Sequence, residues 1–326
     1  MTREEFLRRE YLGRIERVVD HIYAHHGDEL TIDELADIAA FSRFHFHRVF
    51  SSITGETVSD FLKRVRLQQA ASRLTEHPGE AVTDVALAVG FSSPSVFARA
   101  FRSRFGVTAS VWRTLDGSKR RLLAESNACT VHSTAGPAIG NPGQAQASAD
   151  RYDLSMRTDD SRRDAMKSLS YKVEVRKLPE LTVAYARHVG AFNAIGEAFG
   201  RLSRWAGPRG LFRVPGAQSL AVYHDSPETT PEQKLRSSAC VTVAPGTEVS
   251  GDINVMTIPG GMFAVARFEI LPSQFGEAWD ALMGEWFPSS GYQPDDRMCY
   301  EVYLQDPASH PKGMFVIDIC EPVRPL

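Results

Sequence analysis

Two arginines in matching surroundings, and one glutamate set among aromatic residues, are the side chains of this 326-residue chain best placed to do chemistry. Arg48 lies within Phe46-His47-Arg48-Val49-Phe50, and Arg99 lies 51 residues further on within Phe97-Ala98-Arg99-Ala100-Phe101. A guanidinium is a planar fork of donors, suited to bidentate contact with a phosphate or with the O6/N7 edge of guanine. Glu301 stands in Met298-Cys299-Tyr300-Glu301-Val302-Tyr303, and the same half of the chain holds Tyr223, Phe275, Trp279, Trp286, Phe287 and Tyr292. A carboxylate walled by aromatic faces attracts cationic or amphiphilic ligands, through charge pairing and through the ring quadrupoles.

Charge follows the same division. The formal net charge is −3, yet residues 41–115 carry ten Lys/Arg against five acids, whereas residues 171–326 carry 14 against 18. The positive field therefore belongs to the N-terminal part, which implies a polyanionic partner there. With 43% apolar and 24% charged residues the composition is that of a soluble globular protein, long enough for two domains. No run of about 18 apolar residues occurs and the opening MTREEFLRRE is highly charged, so a cytoplasmic protein with no membrane partner is expected. Cys129, Cys240, Cys299 and Cys320 are widely spaced, without C-x-x-C or a histidine at ligand spacing, so reduced thiols and no metal or cofactor are expected. Gly-rich phosphate loops, H-E-x-x-H and G-x-S-x-G are absent.

The elements that must hold the two arginines are legible as a repeat. TIDELADIAA (31–40) and AVTDVALAVG (81–90) are short amphipathic segments, each running into Phe-Ser and then into one of the Phe-x-Arg-x-Phe stretches, with Gly55 and Gly106 beyond. Helix, tight turn and second helix is the reading, made twice. Phe46 with Phe50, and Phe97 with Phe101, lie four apart and share the face turned to the first helix, which points the arginine between them elsewhere. Thr31 with Glu34, and Ser93 with Pro94, mark helix starts, while Gly55 and Gly106 supply left-handed ends. Residues 57–77 form a joining helix stopped by Pro78-Gly79. At about 1.5 Å per residue it spans roughly 30 Å, close to the ~34 Å of one duplex turn. An all-helical interaction domain without nucleic acid is the alternative.

Residues 12–113 resemble the AraC/XylS family of transcription regulators: two helix-turn-helix units, the joining helix with Arg66 and Ala70-Ala71, the segment Ala86-x-x-x-Gly90-Phe91-Ser92, Phe97-x-Arg99-x-Phe101-Arg102 before Gly106, and Trp112-Arg113. Ala109-Ser110 replaces the usual proline after Gly-Val-Thr. The resemblance implies double-stranded promoter DNA and RNA polymerase as partners. It makes Arg43, Phe44, His47 and Arg48 base-reading candidates in the first recognition helix, and Ser93, Ser95, Ala98 and Arg99 in the second. Lys63, Arg64, Arg102 and Arg104 fall to phosphates, which position without specifying sequence; a solvated surface charge is the alternative for each arginine.

Residues 117–170 lose periodicity and are rich in Ala, Gly, Ser, Pro and Gln, as expected of a flexible tether, with Lys119-Arg120-Arg121 as a solvated end or an extension of the phosphate contacts. Beyond it, 173–207 aligns with 253–288, placing Pro179 against Pro259, Ala184 against Ala264, Ala186 against Ala266 and Arg187 against Arg267. Two strand-helix-strand units packed as a pair are predicted, with an antiparallel sheet and helices near 191–206 and 272–287 on one face. The fold expected is thus multidomain: an all-α double helix-turn-helix domain (1–116), the tether, and an α+β domain (171–326).

Residues 171–322 resemble the gyrase-inhibitor-like effector-binding domain, through the two repeats, Arg236-x-x-Ala239-Cys240-Val241 and Tyr300-Glu301-Val302-Tyr303. Ser237-Ser238 replaces the Tyr-Asp usual after the arginine. The resemblance implies a small-molecule effector in a pocket faced by Glu301, for which Tyr223, Phe275, Trp279, Trp286, Tyr292 and Tyr303 are wall candidates. Some stand-alone relatives resemble hydrolases in which a pocket Glu and Tyr act on a strained electrophile, so Glu301 as general base is the second reading.

Overall fold

A computed structural model describes residues 1–126, 169–227, 229–305 and 307–326, without the side chains of Phe44, Glu125 and Ser126. It divides into two compact units, and the division does not run once along the chain. Among the described residues, 10–40 and 50–126 form one; 1–9, 41–49 and those from 169 on form the other. No helix of the described residues is long and apolar enough to cross a membrane.

The helices run α1 (Arg3–His25), α2 (Ile32–Ala39), α3 (Arg43–Thr54), α4 (Val58–Glu76), α5 (Val82–Ala88), α6 (Pro94–Phe105), α7 (Ala109–Thr114) and α8 (Gly117–Ser126). Their ends are chemically specified. Thr31, Thr57, Ser93 and Thr108 each accept a backbone N–H three residues on, capping α2, α4, α6 and α7. Gly55 and Gly106 follow α3 and α6 with φ of 81° and 74°. After α5 the turn needs Gly90, at φ 86°: a Cβ there would lie 2.8 Å from the Arg66 guanidinium. Arg66 in turn donates to the His26 carbonyl (2.7 Å) and the Asp28 carbonyl (2.8 Å), tying α4 to the end of α1.

The second helical pair closes over a stack of rings, Phe91, Phe97, Phe101, Phe105 and Trp112, each in edge or tilted contact with the next. Trp112 Nε1 donates to the Ala71 carbonyl (3.2 Å), which fixes α7 on α4. The start of the expected tether is corrected here, because residues 117–126 are helical. Leu123 and Ala124 pack on the same ring cluster, and Arg120 donates to the carbonyls of Trp112 and Arg113 at 3.0 and 2.9 Å, closing the end of α7. Residues 127–168, on which the rest of the expected tether and Cys129 fall, lie outside the described residues.

Among the described residues, the other unit is built on nine strands: β1 (Tyr171–Leu178), β2 (Leu181–Val189), β3 (Ser219–Tyr223), β4 (Arg236–Thr242), β5 (Ile253–Ile258), β6 (Gly261–Ile270), β7 (Tyr292–Pro294), β8 (Tyr300–Gln305) and β9 (Phe315–Pro325). All pairings are antiparallel, in the order β1-β6-β9-β8-β3-β4-β2-β5, with β7 added beside the end of β9. Helix α9 (Gly196–Ala206) follows β2. Helix α10 (Phe275–Asp280) follows β6 and is continued by a π-helical turn (Ala281–Trp286) and α11 (Phe287–Ser290). Ala198, Leu202 and Trp205 of α9 pack on Ala184, Ala186, Ala221 and Ala239, whose short side chains let the helix approach. The opposite face is filled largely by strand residues, among them Val183, Leu220, Cys240, Phe263, Val302 and Cys320, with Met298 packed against them.

The sheet has an internal twofold that the register makes explicit. Reading across it, Ile253, Ala186, Ala239, Ala221, Glu301, Ile319, Ala266 and Val173 form one continuous row of paired residues. Each residue in one half of that row has its mate in the other half at a constant offset of 80 positions. The repeat seen in the sequence thus extends through β4 and β9, and its halves exchange their first strands, β1 joining β6 and β5 joining β2.

Candidate functional site

Glu301 occupies the centre of that row, opposite Ala221, and every other member of the row is alanine, valine or isoleucine. Its twofold mate is Ala221 itself, so the pseudo-symmetric frame carries one charge at its axis. The offset that relates Ala221 to Glu301 also relates Tyr223 to Tyr303 and Phe199 to Trp279. Both tyrosines converge on the carboxylate: Tyr223 donates to Oε2 at 2.7 Å and Tyr303 to the same oxygen at 3.1 Å. Trp279 Nε1 donates to Oε1 at 2.7 Å. Glu301 is 1% exposed. A carboxylate so deeply buried costs several kcal/mol, which charge-assisted hydrogen bonds of about 1.5–3 kcal/mol each offset.

Burial pushes the Glu301 pKa above the usual carboxylate range, while the bonds from Tyr223, Trp279 and Tyr303 and the charge of Arg48 act against it. Burial first, and then the charge of Glu301, hold Tyr223 and Tyr303 well above the ordinary phenol value, so both remain protonated donors. Around them the walls are aromatic. Phe192 meets Tyr223 edge-on (4.8 Å between centroids), Phe199 meets Tyr303 (5.4 Å), and Phe315 meets Tyr303 at 6.0 Å. Phe275 is a tier further out, against Phe315 at 5.3 Å.

The structure therefore gathers Glu301, Tyr223, Trp279 and Tyr303 into one cluster, with Phe275 behind. It does not bring Trp286 and Tyr292 there, which corrects the sequence expectation. Those two stack on one another at 6.4 Å, and Trp286 also meets Phe287. Tyr292 pairs with Pro325 on β9, whereas Glu301 pairs with Ile319; six residues at about 3.3 Å each put these sites roughly 20 Å apart along the strand. Phe192, Phe199 and Phe315 are walls that sequence reasoning missed. The 80-residue offset that matches Phe199 to Trp279 was the available signal for one of them.

The base-reading candidates divide sharply. In α6, Ser95, Ala98 and Arg99 are exposed, and Arg102 beyond them is too. Ser93 Oγ accepts from the Val96 N–H (3.4 Å), so its oxygen caps the helix. In α3, Arg43 is exposed, His47 is 3% exposed, Arg48 is half-buried, and the side chain of Phe44 lies outside those described. His47 is thus buried and Arg48 half-buried, so neither is freely presented to a duplex in this structure. The Arg48 guanidinium lies over the Trp279 ring, 4.1 Å from its centroid. Among the phosphate candidates Lys63 is exposed, while Arg64 is paired with Glu56 (2.7 Å) and lies over Phe61, and Arg104 is half-buried against Phe105.

Comparison with known proteins gives two family matches. Residues 171–324 match the GyrI-like small molecule binding domain, and residues 35–114 match a helix-turn-helix domain. A DNA gyrase inhibitor of Yersinia enterocolitica is 32% identical over 161 residues, which is 48% of this chain and 98% of that protein. Among solved structures, a probable AraC family transcriptional regulator from Rhodopseudomonas palustris is 31% identical over 31% of this chain and 94% of its own, with a TM-score of 0.30. The EcmrR C-terminal domain is 20% identical over 48% of this chain and 99% of its own, with a TM-score of 0.39.

Proposed function

This chain belongs to the GyrI-like small molecule binding domain family over residues 171–324 and carries an AraC-type helix-turn-helix domain over residues 35–114, a DNA-binding regulator with an effector domain, and on that premise we propose that a small cationic or amphiphilic molecule bound at Glu301 governs its binding to promoter DNA. Residues 1–116 act as the reading head, and residues 171–326 sense the effector. Arg43, Phe44, His47 and Arg48 in α3, and Ser95, Ala98 and Arg99 in α6, face base edges in the bound state. Lys63, Arg102 and Arg104 hold phosphates, and RNA polymerase is met at the promoter.

One observation carries the effector reading: a carboxylate 1% exposed, held by Tyr223, Trp279 and Tyr303, inside a shell of aromatic rings. Three donors already occupy both oxygens, which suits a fixed charge to be matched by a cation better than a base that must hold and activate a water. The test is calorimetric titration of the full chain with phenylguanidinium, a planar aromatic cation. Saturable binding that weakens by about tenfold or more in Glu301→Gln, with the probe recovered intact, is the expected result. Equal affinity in wild type and variant would remove Glu301 from the site.

A further inference from the structure

The segment Phe41–Val49 belongs to the same compact unit as the sheet, and its contacts there are regularly spaced. Residues 42, 45 and 48, every third position, each meet a side chain of the sheet unit. Ser42 Oγ donates to the Asp296 carboxylate. His45 Nδ1 lies 2.7 Å from Glu321 Oε1, with both side chains buried. Arg48 lies 4.1 Å over the Trp279 ring, and the N–H edge of that same indole donates to Glu301.

We propose that Arg48 is the resident cation of the Glu301 site, so that a cationic effector and the first DNA-reading helix compete for one carboxylate and one indole. The inference rests on the effector reading above and adds to it the identity of the competitor. Glu301 and Glu321 are, among the described residues, the two fully enclosed glutamates of the sheet unit, and each lies near a nitrogen-bearing side chain of the same nine-residue segment. The charge of Arg48 works to lower the pKa of Glu301 and that of the neighbouring Cys299, which burial pushes up to about 12. A guanidinium on an indole face beside a buried carboxylate is what an aromatic cation would offer in its place. While Arg48 occupies the site, neither the effector nor a base edge has it. A ligand that takes Trp279 and Glu301 releases the arginine to DNA, and each partner's apparent affinity is reduced by the fraction of molecules in the occupied state.

Two measurements on the full chain test this. Phenylglyoxal, which modifies accessible arginines, is followed at Arg48 and Arg99 by peptide mass spectrometry. Arg99 is expected to react readily and Arg48 slowly, and saturating benzyltrimethylammonium, an aromatic cation with no guanidine to consume the reagent, is expected to speed Arg48 by about tenfold while leaving Arg99 unchanged. In calorimetry, Arg48→Met, which keeps the apolar stem, is expected to bind phenylguanidinium about tenfold more tightly than wild type, and the additional Glu301→Gln to abolish that binding. If the probe binds wild type and Arg48→Met equally and Arg48 stays protected with probe bound, the competition is overturned while the effector site stands. If neither protein binds the probe, the effector reading itself fails and the competition falls with it.

Discussion

At the scale of single residues, the account turns on Glu301 being ionised when a cation binds. Its neighbours are Tyr223 from β3, Trp279 from α10, Tyr303 from β8 and Arg48 from α3, and of these the tyrosines stay neutral through the acidic range, while a guanidinium is not deprotonated in proteins. Glu301 is therefore the group that titrates. Because burial raises its pKa, cation affinity should be full well above that value and lost as pH falls through it, at a higher pH than for an exposed glutamate. A pH series of phenylguanidinium titrations checks the sign; affinity that holds until the ordinary carboxylate range would contradict it. Glu301, Tyr303 and Tyr223 were legible because they sit in strand motifs whose alternation fixes which side chains share a face. Trp286 and Tyr292 misled because aromatic density along a chain is not proximity, and β7 pairs at the far end of β9. The placement of Arg48 was not legible, since a contact between residues 48 and 279 leaves no periodic trace.

At the scale of elements, helix ends were the most legible features because they depend on local chemistry. Thr31 and Ser93 cap as their spacing predicts, and Gly55 and Gly106 take the left-handed conformation. Helix α8 was obscured by a polar composition, though Leu123 and Ala124 sufficed to dock it. The turn after α5 gives a stability prediction. Gly90→Ala must place a Cβ at positive φ, costing about 1–2 kcal/mol, and also displaces the Arg66 guanidinium that bridges α4 to α1. Urea unfolding should show a loss of at least that size, and an unchanged midpoint would contradict the packing. The exposed face of α6 gives a binding prediction. Arg99→Ala should weaken binding to a preferred duplex by about 1–3 kcal/mol and relax preference at one base pair, whereas Arg102→Ala should weaken all duplexes alike and reduce the salt slope by about one. Equal losses from Arg99→Ala on preferred and random duplexes would return Arg99 to the phosphate class.

For the whole molecule, the sequence carried the order of parts, a basic helical repeat followed by a strand-helix repeat, because each repeat is a local pattern written twice. What it did not carry is that Met1–Arg9 and Phe41–Val49 group with the sheet. That grouping depends on side chains far apart in the chain, such as Ser42 with Asp296 and His45 with Glu321. DNA affinity should fall steeply with salt as phosphate contacts exchange with counterions. The most direct test of the central claim is the affinity of the full chain for the duplex upstream of its own gene, measured by anisotropy at fixed salt with and without saturating phenylguanidinium. The cation should raise affinity for that duplex over a random one in the wild type and have no effect in Glu301→Gln. An affinity that is indifferent to the cation, or a protein that binds both duplexes equally well, would contradict it.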